Sequence, residues 1–255
     1  MPIVVFICDW KNDDYYRAMV DGMLYSVNPD LKVTYATTHI DFNDIFQAAL
    51  ILRLALYTYP DNTFFIVSVK TVVNQNEGYI YANINNKHVF CANNGILGFI
   101  DAQSIQKIYQ LPYEDSTFPE KDIFVPAIEY LLNNNGMENW GTEIRDVNKA
   151  KKFYPDFSNN IITGMVIYID SYGNAITNIS KSFFNKCKAD KNFVIYPNTK
   201  HERITKISTS YTELEGQDFF AVFNSLDLLE IGVFEGNISQ LYHIKLRTNI
   251  TIEIV

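Results

Sequence analysis

Asp44-Ile-Phe-Gln-Ala-Ala-Leu-Ile-Leu-Arg-Leu-Ala-Leu-Tyr57 places an acidic residue ahead of apolar side chains at helical spacing, and Pro60 stands just beyond it. An Asp at the head supplies an acceptor for the free N–H groups of a first turn, and Pro cannot continue a helix, so the segment reads as a strong helix. Outward from it, Phe64 to Val69 is a buried-strand run and Lys32 to Ala36 has strand character. Tyr15 to Ser26 again has helical spacing and stops at Asn28-Pro29, and Ile3 to Cys8 is an apolar run ending at Asp9. Strand, helix, strand, helix, strand is the order of an α/β layer with parallel neighbours. Tyr79 to Ile84 and His88 to Cys91 read as a hairpin around Asn85-Asn86, and Asp122 to Asn133 as a further helix.

The pattern changes after residue 149. Lys149 to Asn160 is polar, holds Pro155 and two adjacent Asn, and reads as a linker. Beyond it the signals are short strands only: Ile161 to Asp170, Phe193 to Tyr196, Phe219 to Asn224, Leu228 to Val233 and Ile250 to Val255. Turn formers such as Tyr172-Gly173-Asn174 and Glu235-Gly236-Asn237 separate them. The expected organisation is an α/β domain over residues 1–155, a linker at 149–160, and a small all-β, barrel-like domain over 161–255.

Composition narrows the function classes. Hydrophobic residues make up 47% of the 255, enough for packed cores, and the net charge of −8 comes without a basic run. That balance argues against nucleic acid as a partner, and no apolar stretch has the length of a membrane span. The opening Met1-Pro2-Ile3 lacks a basic segment and reads as a first strand rather than a signal peptide. Cys8, Cys91 and Cys187 are odd in number and far apart, which suggests reduced core thiols and a cytoplasmic setting. His39, His88, His201 and His243 are scattered, so no metal site is expected.

Four blocks carry a family resemblance. Cys8-Asp9-Trp10 with Asp14, Tyr16, Gly22, Ser26, Asn28, Pro29 and Asp30 is the first; Cys91-Ala92-Asn93-Asn94-Gly95-Ile96-Leu97 is the second. Ile169-Asp170-Ser171-Tyr172-Gly173-Asn174-Ala175-Ile176-Thr177-Asn178-Ile179 is the third and most specific. Asn224-Ser225 with Leu229-Glu230-Ile231 and Gly236-Asn237 is the fourth. In this order they resemble the S-adenosylmethionine (SAM) hydroxide adenosyltransferases, the family that also holds the fluorinating and chlorinating enzymes. The resemblance implies a fluorinating-enzyme-like architecture and no cofactor. It also implies a homotrimer whose site lies between the N-terminal domain of one subunit and the C-terminal domain of the next. The implied reaction is displacement of methionine by hydroxide at the ribose 5′-carbon of SAM, giving adenosine, with the protein aligning the reactants and supplying polar groups for the hydroxide.

In the hydrolase branch those groups are an Asp, an Arg and a His, and this sequence departs at all three. Lys70 occupies the Asp position, Glu77 or Gly78 the Arg position, and Pro119 the His position, the last between an intact Ser116-Thr117-Phe118 and an intact Asp122-Ile123-Phe124-Val125-Pro126-Ala127. Ligand-facing positions are retained. By the family pattern Asp9 accepts from the ribose hydroxyls, Asp170 and Ser225 (with Asn224 before it) hold the amino-acid end, Tyr172 stacks on the adenine, and Asn174 shares its turn. Leu226 replaces an Arg of the halogenating branch, which favours adenosine over full SAM.

Plainer roles stand beside these. Asp9 is also a helix-cap candidate, Gly173 and Asn174 turn formers, Tyr172 a core or interface residue, and Asn93-Asn94 a turn. Lys70 and Glu77 suit a surface ion pair or a new acid–base pair. Three functional expectations remain: a nucleoside-binding pseudoenzyme, an active SAM-cleaving enzyme using Lys70 with a carboxylate such as Glu77 or Glu120, and a structural homo-oligomer.

Overall fold

A computed structural model describes residues 1–133, 135–149, 154–199, 201–213 and 218–255. The chain divides into two units, Met1–Lys151 and Lys152–Val255.

In the first unit β1 (Ile3–Cys8) lies between β2 (Lys32–Thr37) and β3 (Phe64–Ser68), parallel to both. The sheet continues through β5 (Lys87–Ala92), β4 (Tyr79–Ile84), β6 (Ile105–Gln110) and β7 (Thr142–Glu143) in the order β2-β1-β3-β5-β4-β6-β7. The β4–β5 hairpin turns on Asn85 and Asn86, with φ of 49° and 58°, the left-handed pair that a tight two-residue turn requires.

Strand parity explains the layers. Val4 and Phe6 of β1 pack with Val20 and Leu24 of α1 (Tyr15–Val27) and with Ile128 of α3 (Val125–Leu132). Val5 and Ile7 point the other way, onto Ala48 and Leu52 of α2 (Ile45–Thr58). Covered on both faces, β1 and β3 must be apolar along their buried lengths, which is why β1, and β3 as far as Val67, read as unbroken runs. Asp44 caps α2, its carboxylate accepting from the N–H groups of Phe46 and Gln47 at 2.9 and 3.1 Å.

The helix expected from Asp122 starts two residues earlier. Glu120–Phe124 forms a π-helical turn that runs into α3. Pro119 opens it with φ −56°, and the Phe118 carbonyl accepts from both Lys121 and Asp122.

The second unit is an antiparallel sheet with order β11-β14-β9-β10-β13-β12: β9 (Ile161–Ile169), β10 (Ala175–Ser180), β11 (Phe193–Tyr196), β12 (Phe219–Phe223), β13 (Leu228–Val233) and β14 (Asn249–Ile254). Among the described residues β11 and β12 end the path without pairing to each other, so the curled sheet is a half-barrel. Its inner face holds Ile162, Val166, Ile179, Leu229, Ile231 and Ile252.

Two features differ from the sequence reading. The polar stretch read as a linker contains β8 (Asp156–Ser158), and Asn159-Asn160 is the turn that folds it onto β9, with φ of 50° and 59°. The part of that stretch at residues 150–153 lies outside the described residues. Short strands are also joined by two helices, α4 (Lys181–Lys188) and α5 (Ile238–Tyr242). Ser180 caps α4 by accepting from the Phe183 N–H, and Phe184 buries its apolar side; the lysines and the asparagine on the other side hide the helix in the sequence. Cys8 and Cys91 are buried, Cys187 is half-buried, and all three are free thiols.

Candidate functional site

After β1 the chain moves to one neighbour, β2, and then crosses to the other, β3. Loops leaving the carboxyl ends of β1 and β3 therefore diverge and open a crevice, the usual ligand position in an open α/β sheet. Asp9 leaves β1 there, and Ser68, Val69 and Lys70 leave β3 beside it.

Backbone contacts organise this crevice. The Asp9 N–H donates to the Ser68 carbonyl, and the Asp9 carboxylate accepts from the Asn43 N–H at 2.9 Å and from the Lys70 N–H. Burial raises the Asp9 carboxyl above its usual range, and those N–H groups bring it partly back. Asp9 does not cap α1; Asp14 stands at that position, and its carboxylate accepts from the Lys11 N–H. Asn94, read as a turn former, reaches across with its amide to the carbonyls of Val69 and Lys70 at 3.0 and 2.9 Å and fixes the turn after β3. Asn93 holds Asn148 in the opposite sense, its side-chain carbonyl accepting from the Asn148 backbone N–H at 2.8 Å.

The residues that the resemblance sets at the hydrolase positions, Lys70, Glu77 or Gly78, and Pro119, are placed differently. Lys70 is exposed, with φ of 51°. Glu77 accepts from the Asn74 amide at 3.1 Å, and among the described residues no ion pair joins Lys70 to Glu77. Pro119 is buried at the start of the π-helical turn. The residue after it, one of the carboxylates named as a partner for Lys70, turns inward. Glu120 is only 2% exposed and bonded to the Ser68 hydroxyl and to Thr71. Burial, above all, raises its carboxyl; the bonds from Ser68 and Thr71 oppose the rise, and nearby Asp9 adds to it.

In the second unit a cleft of about 730 Å³ is lined by Asp170, Tyr172, Asn174, Tyr211, Phe220 and Phe234 among others. Asp170 builds its rim: its carboxylate accepts from the Tyr172 N–H at 3.0 Å and the Asn174 N–H at 2.8 Å, closing the β9–β10 turn. Gly173 has φ of 83°, and a side chain there would collide with Asn237. Tyr172 is 78% exposed, so it is a ring at the rim and not a core residue. Asn224 bonds Glu230 through its amide at 3.1 Å, and the Tyr211 hydroxyl donates to the other Glu230 oxygen at 2.7 Å. Glu230 thereby ties Asn224 to the cleft wall, and burial followed by that bond raises the Tyr211 phenol. Ser225 is exposed at the tip of the β12–β13 turn. The structure thus gathers Asp170, Tyr172 and Asn174 at one cleft, links Asn224 to it, and places Asp9 in the crevice of the other unit.

Sequence reasoning gives Glu230, Phe220 and Gly232 no role at this cleft, although parity could reveal them. Leu229 and Ile231 face the core, so Glu230 and Gly232 face outward, opposite Val222 and Phe220 in register. Among the described residues no group of three His, Cys, Asp or Glu side chains could hold a metal ion. None of the helices described is long and apolar enough to cross a membrane.

Comparison with known proteins bears on the whole chain. The family model described as the SAM hydroxide adenosyltransferase N-terminal domain matches residues 4–141, and that of the C-terminal domain matches residues 164–251. The chain belongs to the SAM hydroxide adenosyltransferase family. An (R)-S-adenosyl-L-methionine hydrolase of Methanocaldococcus jannaschii is 24% identical to this family member over 259 residues, covering 96% of this chain and 93% of that one. Crystal structures of conserved proteins from two bacteria share the fold. The Thermotoga maritima protein has a TM-score of 0.85 at 22% identity, covering 98% of this chain and 99% of that one. The Thermus thermophilus protein has a TM-score of 0.75 at 20% identity, with both chains covered completely.

Proposed function

We propose that this SAM hydroxide adenosyltransferase family member binds adenosine or SAM, with Asp9 taking the ribose hydroxyls, and does not perform ordinary SAM hydrolysis. One observation carries this reading. Asp9 keeps a carboxylate that can accept, while the positions that the resemblance gives to the hydrolase Asp, Arg and His carry Lys70, Glu77 or Gly78, and Pro119. Lys70 extends to solvent, Glu77 is engaged by Asn74, and Pro119 has no ionisable group. Displacement at the 5′-carbon needs a hydroxide held in line, and these side chains are not the Asp, Arg and His that the resemblance gives to that task.

The amino-acid and adenine ends belong, in this reading, to Asp170, Asn174, Asn224 and Ser225 with Tyr172 as stacking ring, supplied by a neighbouring subunit of a homotrimer. Asp170 retains acceptor capacity after serving its own turn, because an ionised carboxylate has about four lone-pair sites. A cytoplasmic setting and freedom from cofactor, nucleic acid and membrane belong to the same proposal.

Calorimetric titration with adenosine and with SAM, followed by chromatography of the SAM mixture, tests it. Binding without adenosine release is the expected result. Release of adenosine and methionine well above buffer would instead establish an active enzyme with altered groups, a reading that buried Glu120 beside Asp9 favours. Absence of any binding would leave only the fold.

A further inference from the structure

We propose that Glu120 is a proton-linked positioning residue: it braces the Ser68–Thr71 turn beside Asp9 and couples occupancy of that crevice to the uptake of one proton. The inference rests on the reading of Asp9 as the ribose acceptor.

The geometry supplies the coupling. Glu120 holds Ser68 and Thr71 through their hydroxyls, the Ser68 carbonyl accepts from the Asp9 N–H, and the Lys70 N–H between them meets the Asp9 carboxylate. A change at Glu120 therefore reaches Asp9 through the short backbone turn that joins these residues. Among the described residues, no ion pair reaches either carboxylate.

The surrounding charges leave Glu120 uncompensated. Facing it are Cys8 at the end of β1, Asp9 just beyond it, Tyr16 from α1 and Tyr79 from β4, none of them a cation. On its own turn Lys121 pairs with Asp122 at 2.6 Å, and on α1 Arg17 pairs with Asp21 at 3.6 Å. Glu129 and Tyr130 lie farther along the same helix, in α3. Two neighbouring carboxylates with restricted access to water do not ionise together cheaply. The N–H groups of Asn43 and Lys70 favour the Asp9 anion, so Asp9 ionises first and Glu120 retains its proton to higher pH. A ligand over Asp9 removes more water and favours neutral Glu120, which takes its proton from solvent. Affinity then falls as pH rises past the titration of Glu120 in the free protein, by at most about tenfold per pH unit.

The test is calorimetric titration of the full-length protein with adenosine from about pH 5 to about pH 9, in buffers of different ionisation enthalpy, beside Glu120→Gln. The wild type is expected to take up about one proton and to lose affinity with rising pH. Glu120→Gln, which resembles the neutral acid, is expected to bind without that dependence. Equal pH slopes, or a uniform loss of affinity in the variant, would overturn the proposal. Thermal unfolding across the same range judges Glu120 separately from adenosine binding. A carboxyl raised in the folded state contributes stability that is full below the unfolded titration range and lost as pH rises through the folded one. Wild-type melting should therefore fall relative to Glu120→Gln as pH increases, and parallel curves would sink the inference. If neither protein binds adenosine but the melting curves diverge, the reading of Asp9 fails while the linkage at Glu120 stands. Should Glu120→Gln not fold, Ser68→Ala removes a bond that favours the charged form and must move the wild-type pH midpoint upward; an unmoved midpoint overturns the proposal.

Discussion

Asp9 is half-buried and already receives backbone N–H groups, yet its carboxylate has acceptor sites left for two ribose hydroxyls. Asp9→Asn keeps the shape and turns one acceptor into a donor. Hydrogen bonds to a charged group contribute about 1.5–3 kcal/mol, so adenosine affinity should drop by roughly 10- to 150-fold, read by calorimetry. An unchanged affinity would remove Asp9 from the site. Asp9 is legible in the sequence because an apolar strand stops at it. Glu120 enters the sequence reading only as one carboxylate that could serve Lys70, and its burial is harder to see because the expected helix begins two residues later, at Asp122. Its partners on the buried stripe, Ile123, Phe124, Ala127 and Ile128, lie three, four, seven and eight positions on, and that spacing turns Glu120 inward. Asn94 is hidden for another reason. Asn before Gly95 reads as a turn, and only the folded chain brings its amide to Val69 and Lys70.

At the scale of elements, the first unit is legible because each of its central strands is buried on both faces and each helix has one apolar stripe. α4 and β8 escape because α4 is short, its apolar side only Phe183, Phe184 and Cys187 among lysines, and β8 has three exposed residues with no apolar pattern. α4 is set by the Ser180 cap and the burial of Phe184, and β8 by a two-residue Asn turn against a strand already in place. Ser180→Ala removes the acceptor for the Phe183 N–H and should cost about 0.5–2 kcal/mol, measured by denaturant unfolding. A loss near zero would mean that α4 is held by its packing alone. The β9–β10 turn shows the opposite balance. Asp170, Gly173 and Asn174 are turn chemistry that the sequence states outright, and Asp170 and Asn174 also face a cleft.

For the whole molecule, the proposed homotrimer makes a separate prediction. Sedimentation velocity should give a species of three chains, and adenosine should sharpen it if subunits share the ligand. A monomer with full adenosine affinity would contradict a composite site. The order of strands in the second unit carries a consequence for how that unit is made. Among the described residues β11 pairs along its length with β14 and, on its other edge, through one bridge from Ile195 to Ile204; β14 is the last strand described, lying between β11 and β9. Folding therefore cannot proceed strand by strand from the start of this unit. Phe193, Val194, Ile195 and Tyr196 must wait for Thr251 to Ile254 before their strand neighbour exists, with only the Ile195–Ile204 bridge available sooner. Closing so long a loop slows folding, and meanwhile an apolar strand edge stays open to pairing with other chains.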